Sequence, residues 1–101
     1  MEIWEVPAGQ TLVSEGDIAR DFYVLLEGEA RVEQGGSAVA TLGPGDFFGE
    51  IALVTRTRRT ASVLTTAPSR LAVFDERSFR ERLAADAAFS ASVWAAAAER
   101  L

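Results

Sequence analysis

Short apolar runs separated by turn-forming residues are the feature that most restricts the fold of this chain. About eight such runs occur before position 75, and each is too short for a typical helix but suits a strand. Glycine and proline lie in the breaks, as in Pro44-Gly45-Asp46, where proline fixes φ and glycine accepts positive φ. The predicted strands are Ile3–Val6, Thr11–Val13, Phe22–Leu26, Ala30–Glu33, Ala38–Leu42, Phe47–Phe48, Thr60–Leu64 and Leu71–Phe74. This pattern predicts a mainly β fold, a double-stranded β-helix (jelly-roll) sandwich.

The pattern changes after the last predicted strand and becomes helical. Asp75 and Ser78 are candidate N-caps, and Ser78 with Glu81 has the spacing of a capping box. A second helix is predicted after Asp86, with an apolar stripe at i, i+4 spacing formed by Phe89, Val93, Ala97 and Leu101. We therefore expect one domain over residues 1–101, with a β-roll over about 1–75 and C-terminal α-helices over about 76–101.

Composition excludes several classes of function. The net charge is −5, and such a field repels phosphate backbones, so we expect no nucleic-acid binding by this segment. The chain has no histidine and no cysteine, which leaves no ligand set for a zinc, copper or non-haem iron site. No apolar run approaches the roughly 20 residues that span a bilayer, so we expect no membrane insertion by this segment and a cytoplasmic location.

The chemistry-bearing segment extends from Gly43 to Val63. Gly49 favours a tight turn, and the residues after Glu50 can begin a helical turn whose amides face an anion. Arg59 supplies a planar guanidinium suited to a phosphodiester, and Glu50 supplies an acceptor suited to a neutral hydroxyl. The simpler explanation, an ion pair between Glu50 and Arg59 that closes a loop, stays open at this point. Together the residues predict a pocket for an anion, with chemistry suited to a phosphodiester.

The segment resembles the phosphate-binding cassette of cyclic nucleotide-binding domains. The likeness consists of Phe48-Gly49-Glu50-Ile51-Ala52-Leu53 followed by Arg59-Thr60-Ala61. It implies that Arg59 binds the exocyclic phosphate oxygens, that Glu50 binds the ribose 2′-hydroxyl, and that backbone amides complete the phosphate shell. The ligand would be cAMP, and the hydroxyl of Thr60 leaves cGMP open as a second ligand. The site residues implied within the cassette are Phe48, Gly49, Glu50, Ile51, Ala52, Arg59, Thr60 and Ala61.

The end of the chain is similar to prokaryotic cyclic-nucleotide-gated potassium-channel domains, and the whole chain resembles catabolite-activator-type domains. The Glu99-Arg100 step implies that Arg100 is a lid over the purine, although an exposed helix-end arginine is an equal alternative. The chain departs from the family in starting almost on its first strand and in having Arg58 where proline is common.

The resemblance implies a regulatory sensor that transmits ligand occupancy through movement of its C-terminal helix, with a fused or associated effector domain. We expect no catalytic residue, no metal and no cofactor beyond the cyclic nucleotide. A ligand-free structural or interaction module of the same fold remains the alternative. An enzyme of cupin type is disfavoured because its metal is held mainly by histidines, and a DNA-binding regulator would need a helix-turn-helix outside these residues.

Overall fold

Two antiparallel sheets and three helices form the architecture of residues 1–100, which are the residues that the computed structural model describes. The strands are β1 (Glu2–Val6), β2 (Thr11–Val13), β3 (Asp21–Glu27), β4 (Ala30–Gln34), β5 (Ser37–Leu42), β6 (Phe47–Phe48), β7 (Ser62–Thr65) and β8 (Ser69–Asp75). The helices are α1 (Glu50–Thr55), α2 (Glu76–Ala85) and α3 (Ala87–Arg100). One sheet has the order β1-β8-β3-β6 and the other β2-β7-β4-β5. The predicted mainly β sandwich with C-terminal helices is confirmed.

Strand β3 is apolar on both faces, and this property places the helices. Side chains alternate across a strand, so Tyr23 and Leu25 point into the core shared by the two sheets. Phe22 points the other way and is completely buried against Phe79 of α2 and Val93 of α3. The helices therefore cover the outer face of this sheet, and the same cluster includes a residue of α1.

Strand β7 begins at Ser62, so the predicted start at Thr60 is wrong by two residues. The reason is a backbone pairing just before the strand. The amide of Arg59 donates to the carbonyl of Asp17 (2.8 Å), and the amide of Gly16 donates to the carbonyl of Arg59 (2.8 Å). The chain thus follows the β2–β3 loop before it enters the sheet, which leaves Thr60 and Ala61 in irregular backbone.

Helix α2 is capped by Asp75, whose Oδ1 accepts a hydrogen bond from the amide of Ser78 at 2.7 Å. The predicted capping box starting at Ser78 is wrong, because Asp75 ends β8 and already fills the cap position. Asp86 accepts from the amide of Phe89 (3.0 Å) at the start of α3. Two stripe residues of α3 are buried as predicted, while Leu101 lies outside the described residues.

No helix within residues 1–100 is long and apolar enough to cross a membrane.

Candidate functional site

A cavity of about 280 Å³ lies where β6 leads into α1 and the chain returns towards β7. Its volume is near the lower end of the range of small-ligand sites, about 300–1,000 Å³. The predicted site residues that line it are Phe48, Gly49, Glu50, Ile51, Arg59, Thr60, Ala61 and Arg100. Ala52 differs from these, since its buried side chain faces a separate groove beside α2.

Arg59 provides a fixed cation in the wall of this cavity. Its residue is only 7% exposed, and its guanidinium donates from Nη1 to the carbonyl of Gly49 (2.9 Å) and from Nη2 to the carbonyl of Asp21 (2.7 Å). These contacts use two of the five N–H donors of a guanidinium, so donors remain for a ligand. Burial lowers the pKa of Arg59, and nearby Tyr23 and Asp21 oppose that shift. An arginine stays protonated at neutral pH in any case.

Gly49 is required by two separate features of the structure. Its φ is 95°, a left-handed conformation that residues with a Cβ adopt only with strain. A Cβ at this position would also lie 2.9 Å from Nη1 of Arg59 and 3.0 Å from the carbonyl oxygen of Asp21. The absence of a side chain at Gly49 therefore allows the guanidinium of Arg59 to pack directly against the turn.

Glu50 is completely buried, with 0% of its surface exposed. Its Oε1 pairs with Nη1 of Arg100 at 2.5 Å, so the ion pair with Arg59 considered from the sequence is not the one that forms. Its Oε2 is buried and has no hydrogen-bond partner within residues 1–100. A buried acceptor without a donor costs about 1–3 kcal/mol. The carboxylate consequently has unused capacity for one donor.

Arg100 reaches this site from the end of α3. Besides Glu50, its Nη1 donates to the carbonyl of Phe47 (2.9 Å), and its guanidinium carbon lies 5.5 Å from the centre of the Phe47 ring. That distance is within the range of a cation–π contact. Arg100, which the sequence suggested as a purine lid, thus lines the cavity and forms an ion pair with Glu50, the carboxylate predicted to bind the ribose.

The start of α1 adds polar groups to the same wall. Gly49 occupies the N-cap position without a side-chain cap hydrogen bond. The amides at the cap and in the first turn of a helix have no intrahelical acceptor. The segment from Gly49 to Ala52 therefore places N–H groups that have no intrahelical acceptor close to the Arg59 guanidinium, which donates to the carbonyl of Gly49.

A match to a family model covers residues 3–86, and the family is described as the cyclic nucleotide-binding domain. The chain belongs to this family. The cAMP-dependent protein kinase regulatory subunit of Schizosaccharomyces pombe is 42% identical over 77 residues, which is 75% of this chain and 19% of that protein. An uncharacterized protein of Mycobacterium tuberculosis is 36% identical over 97 residues, or 96% of this chain and 19% of its own length. The domain spans about a fifth of these relatives.

Solved structures agree with the family assignment. The catabolite activator protein of Thermus thermophilus superposes with a TM-score of 0.82 and 25% identity over 98% of this chain and 48% of that one. A cAMP-bound PfPKA-R superposes with a TM-score of 0.78 and 26% identity over 81% of this chain and 29% of that one. The resemblance to catabolite-activator-type domains is confirmed as a family relationship, and the likeness to potassium-channel domains stays a prediction.

The apolar wall of the cavity was missed in the sequence. Its apolar residues on two paired strands are Val32 of β4 and Val39, Ala40 and Leu42 of β5, and Gln34 of β4 adds a polar side chain. The available signal was the alternation of Val32 with Gln34 and of Ala40 with Leu42, which places these residues on one face of each strand. Sequence alone did not show that this face is turned towards the cassette.

Proposed function

We propose that residues 1–101 form one non-enzymatic cyclic nucleotide-binding domain that senses cAMP, with cGMP left open as a second ligand. The observation that carries the proposal is Arg59, a buried cation held by two backbone carbonyls in a cavity that Glu50 also lines, and one oxygen of Glu50 has no hydrogen-bond partner within residues 1–100. A fixed guanidinium beside free amides suits a phosphodiester, and an acceptor-only carboxylate suits a hydroxyl.

The parts of the ligand correspond to the parts of the cavity. Arg59 and the amides of Gly49, Ile51, Ala52 and Ala61 would bind the phosphate. Glu50 would accept from the ribose 2′-hydroxyl. The purine would lie against the apolar wall of β4 and β5, near the hydroxyl of Thr60.

The relatives support a regulatory role. Those named as kinase regulatory subunits are cAMP-dependent by their names, and one superposed structure is cAMP-bound. Since the chain spans about a fifth of such proteins, a fused or associated effector in the cytoplasm is part of the proposal. Occupancy would be transmitted through α3, which a ligand can shift only by its difference in affinity for two helix positions.

Calorimetric titration with cAMP, cGMP and 5′-AMP tests the proposal. We expect binding of cAMP with a Kd of roughly micromolar or lower, which corresponds to about 8 kcal/mol. Binding of 5′-AMP should be much weaker, because its phosphate is dianionic and not closed onto the ribose. Absence of binding by both cyclic nucleotides would reject the proposal and favour the ligand-free interaction module.

A further inference from the structure

The carboxylate assigned to the ribose is closed off in this structure. Glu50 has 0% of its surface exposed, and the group that pairs with it is Arg100 from the end of α3. Arg100 itself is partly exposed, with 35% of its side chain accessible, and it lines the same cavity. A ligand hydroxyl therefore cannot contact Glu50 unless the side chains around the carboxylate move.

We propose that Arg100 competes with the ribose 2′-hydroxyl for Glu50 and so sets how strongly the domain distinguishes ribose from 2′-deoxyribose. This inference rests on the proposed function. It differs from a purine lid, because a lid would strengthen ligand binding, whereas a competitor weakens the contribution of one hydroxyl.

Three contacts make Arg100 an effective competitor. Its bond to Glu50 joins two charged groups, and such bonds are roughly twice as strong as those between neutral groups. The carbonyl and the ring of Phe47 hold the same guanidinium in place. The neutral hydroxyl of a ribose must replace the ion pair, so in the wild type its net contribution to affinity is small.

The second oxygen of Glu50 does not let the hydroxyl bypass Arg100, because that oxygen is buried as well. Arg100 satisfies Oε1, and Oε2 has no donor among the described residues. Once Arg100 moves aside, both oxygens can accept from a ligand. Displacement also removes the contact between the end of α3 and the cassette, which links the presence of the 2′-hydroxyl to the position of this helix.

The test must separate competition from simple charge. Arg100 is a cation near the site of an anion, so its removal weakens the attraction of any cyclic phosphate. Cyclic AMP and 2′-deoxy-cAMP carry the same charge and the same base, so the ratio of their Kd values cancels this effect. The informative quantity is the preference for cAMP over 2′-deoxy-cAMP.

The experiment is calorimetric titration of the chain with both nucleotides, as wild type, as the single variants Arg100→Met, Arg77→Met and Glu50→Gln, and as the double variant Glu50→Gln/Arg100→Met. Methionine keeps an apolar stem without the charge, and Arg77 is a matched control with a side chain 88% exposed on α2. We expect the preference for cAMP to rise about tenfold in Arg100→Met, the scale of one charge-assisted hydrogen bond. It should equal the wild-type value in Arg77→Met.

A double-mutant cycle tests whether Arg100 acts through Glu50. In Glu50→Gln the competing ion pair is gone, so adding Arg100→Met should leave the preference unchanged. The inference is overturned if Arg100→Met lowers the preference or leaves it at the wild-type value while both nucleotides still bind. If neither nucleotide binds to the wild type or to Arg100→Met, the proposed function fails and the inference fails with it. Binding of cAMP by Arg100→Met alone would support competition.

Discussion

Two parts of the molecule bury polar side chains in opposite ways. Thr65 ends β7 at 1% exposure, and its hydroxyl donates to the carbonyl of Pro7 (2.6 Å) and accepts from the amide of Gln10 (2.9 Å). Ser69 begins β8 and likewise both donates to and accepts from nearby backbone. These hydroxyls use their capacity on the fold and connect turns to strands.

Glu50 and Arg59 are also buried, but their hydrogen-bonding capacity is only partly used. One oxygen of Glu50 has no donor within residues 1–100, and Arg59 commits only part of its donor set to backbone carbonyls. The comparison teaches that burial of a polar group does not by itself indicate a site. What distinguishes a candidate site is burial together with unused donors or acceptors facing a cavity.

The largest expected effect is on ligand binding and comes from Arg59→Ala. Removing the buried cation should cost about 2–5 kcal/mol of cAMP binding. That is a loss of affinity from about 30-fold to several thousandfold, measurable by titration. Arg58→Ala is the control, because Arg58 is exposed and makes one bond to the carbonyl of Gly16. Equal affinity of Arg59→Ala and wild type would remove Arg59 from the site.

Gly49→Ala should affect both stability and binding. The added Cβ meets positive φ and close contacts with Arg59, so we expect a loss of about 2–4 kcal/mol in the free energy of unfolding. Gly45→Ala is the matched control, since its φ is 92° and no heavy atom among the described residues lies within 4 Å of its Cβ position. Urea unfolding and titration of both variants measure the difference. If Gly45→Ala lost as much stability as Gly49→Ala, the loss would come from the positive φ alone, and the contact with Arg59 would contribute nothing.

Thr65→Val should lower stability and leave ligand binding unchanged, whereas the effect predicted for Arg59→Ala is on ligand binding. It leaves the carbonyl of Pro7 and the amide of Gln10 without their hydroxyl partner, so the free energy of unfolding should fall by about 1–3 kcal/mol. The affinity for cAMP should stay unchanged. Thr66→Val removes an exposed hydroxyl and should have a much smaller effect on unfolding. A clear loss of affinity in Thr65→Val would contradict the division between the two regions.

The smallest expected effect is on the pH dependence of stability and concerns Asp75, an exposed carboxylate that accepts a hydrogen bond from the amide of Ser78. The amide of Ser78 lowers the pKa of this carboxyl below 3.8, its ordinary value. A depressed pKa in the folded state gives stability that is present above the ordinary value and is lost as pH falls through the folded pKa. The advantage of wild type over Asp75→Asn in urea unfolding should therefore be constant near neutral pH and shrink below about pH 4. An advantage that grows in acid would contradict this cap.

The sequence was sufficient for the elements that local rules determine. The strands follow from short apolar runs bounded by turn residues, and the turn into α1 follows from Gly49, whose φ is positive. The positions of residues that depend on contacts between distant segments were harder to predict from the sequence. The pairing of Arg59 with the loop at Asp17 delays the start of β7, and no local pattern encodes it.

The candidate site shows the same limit. The cassette residues could be predicted because they are contiguous and chemically distinct. The partner of Glu50 could not be predicted, because Arg100 is 50 positions away in the sequence and is brought close by the packing of α3 on β3. The carbonyl of Asp21 that anchors Arg59 was equally hidden, since any residue type supplies a carbonyl.

Amide chemical shifts recorded with and without cAMP test the central claim most directly. The account predicts that the largest changes map to Gly49, Ile51, Ala52 and Ala61, while the amides around Thr65 and Ser69 remain in place. Saturable changes in the cassette, with or without changes at the end of α3, and none around Thr65 and Ser69 would support the difference between the two kinds of buried polar group. Changes centred on Thr65 and Ser69, or none at saturating cAMP, would contradict it.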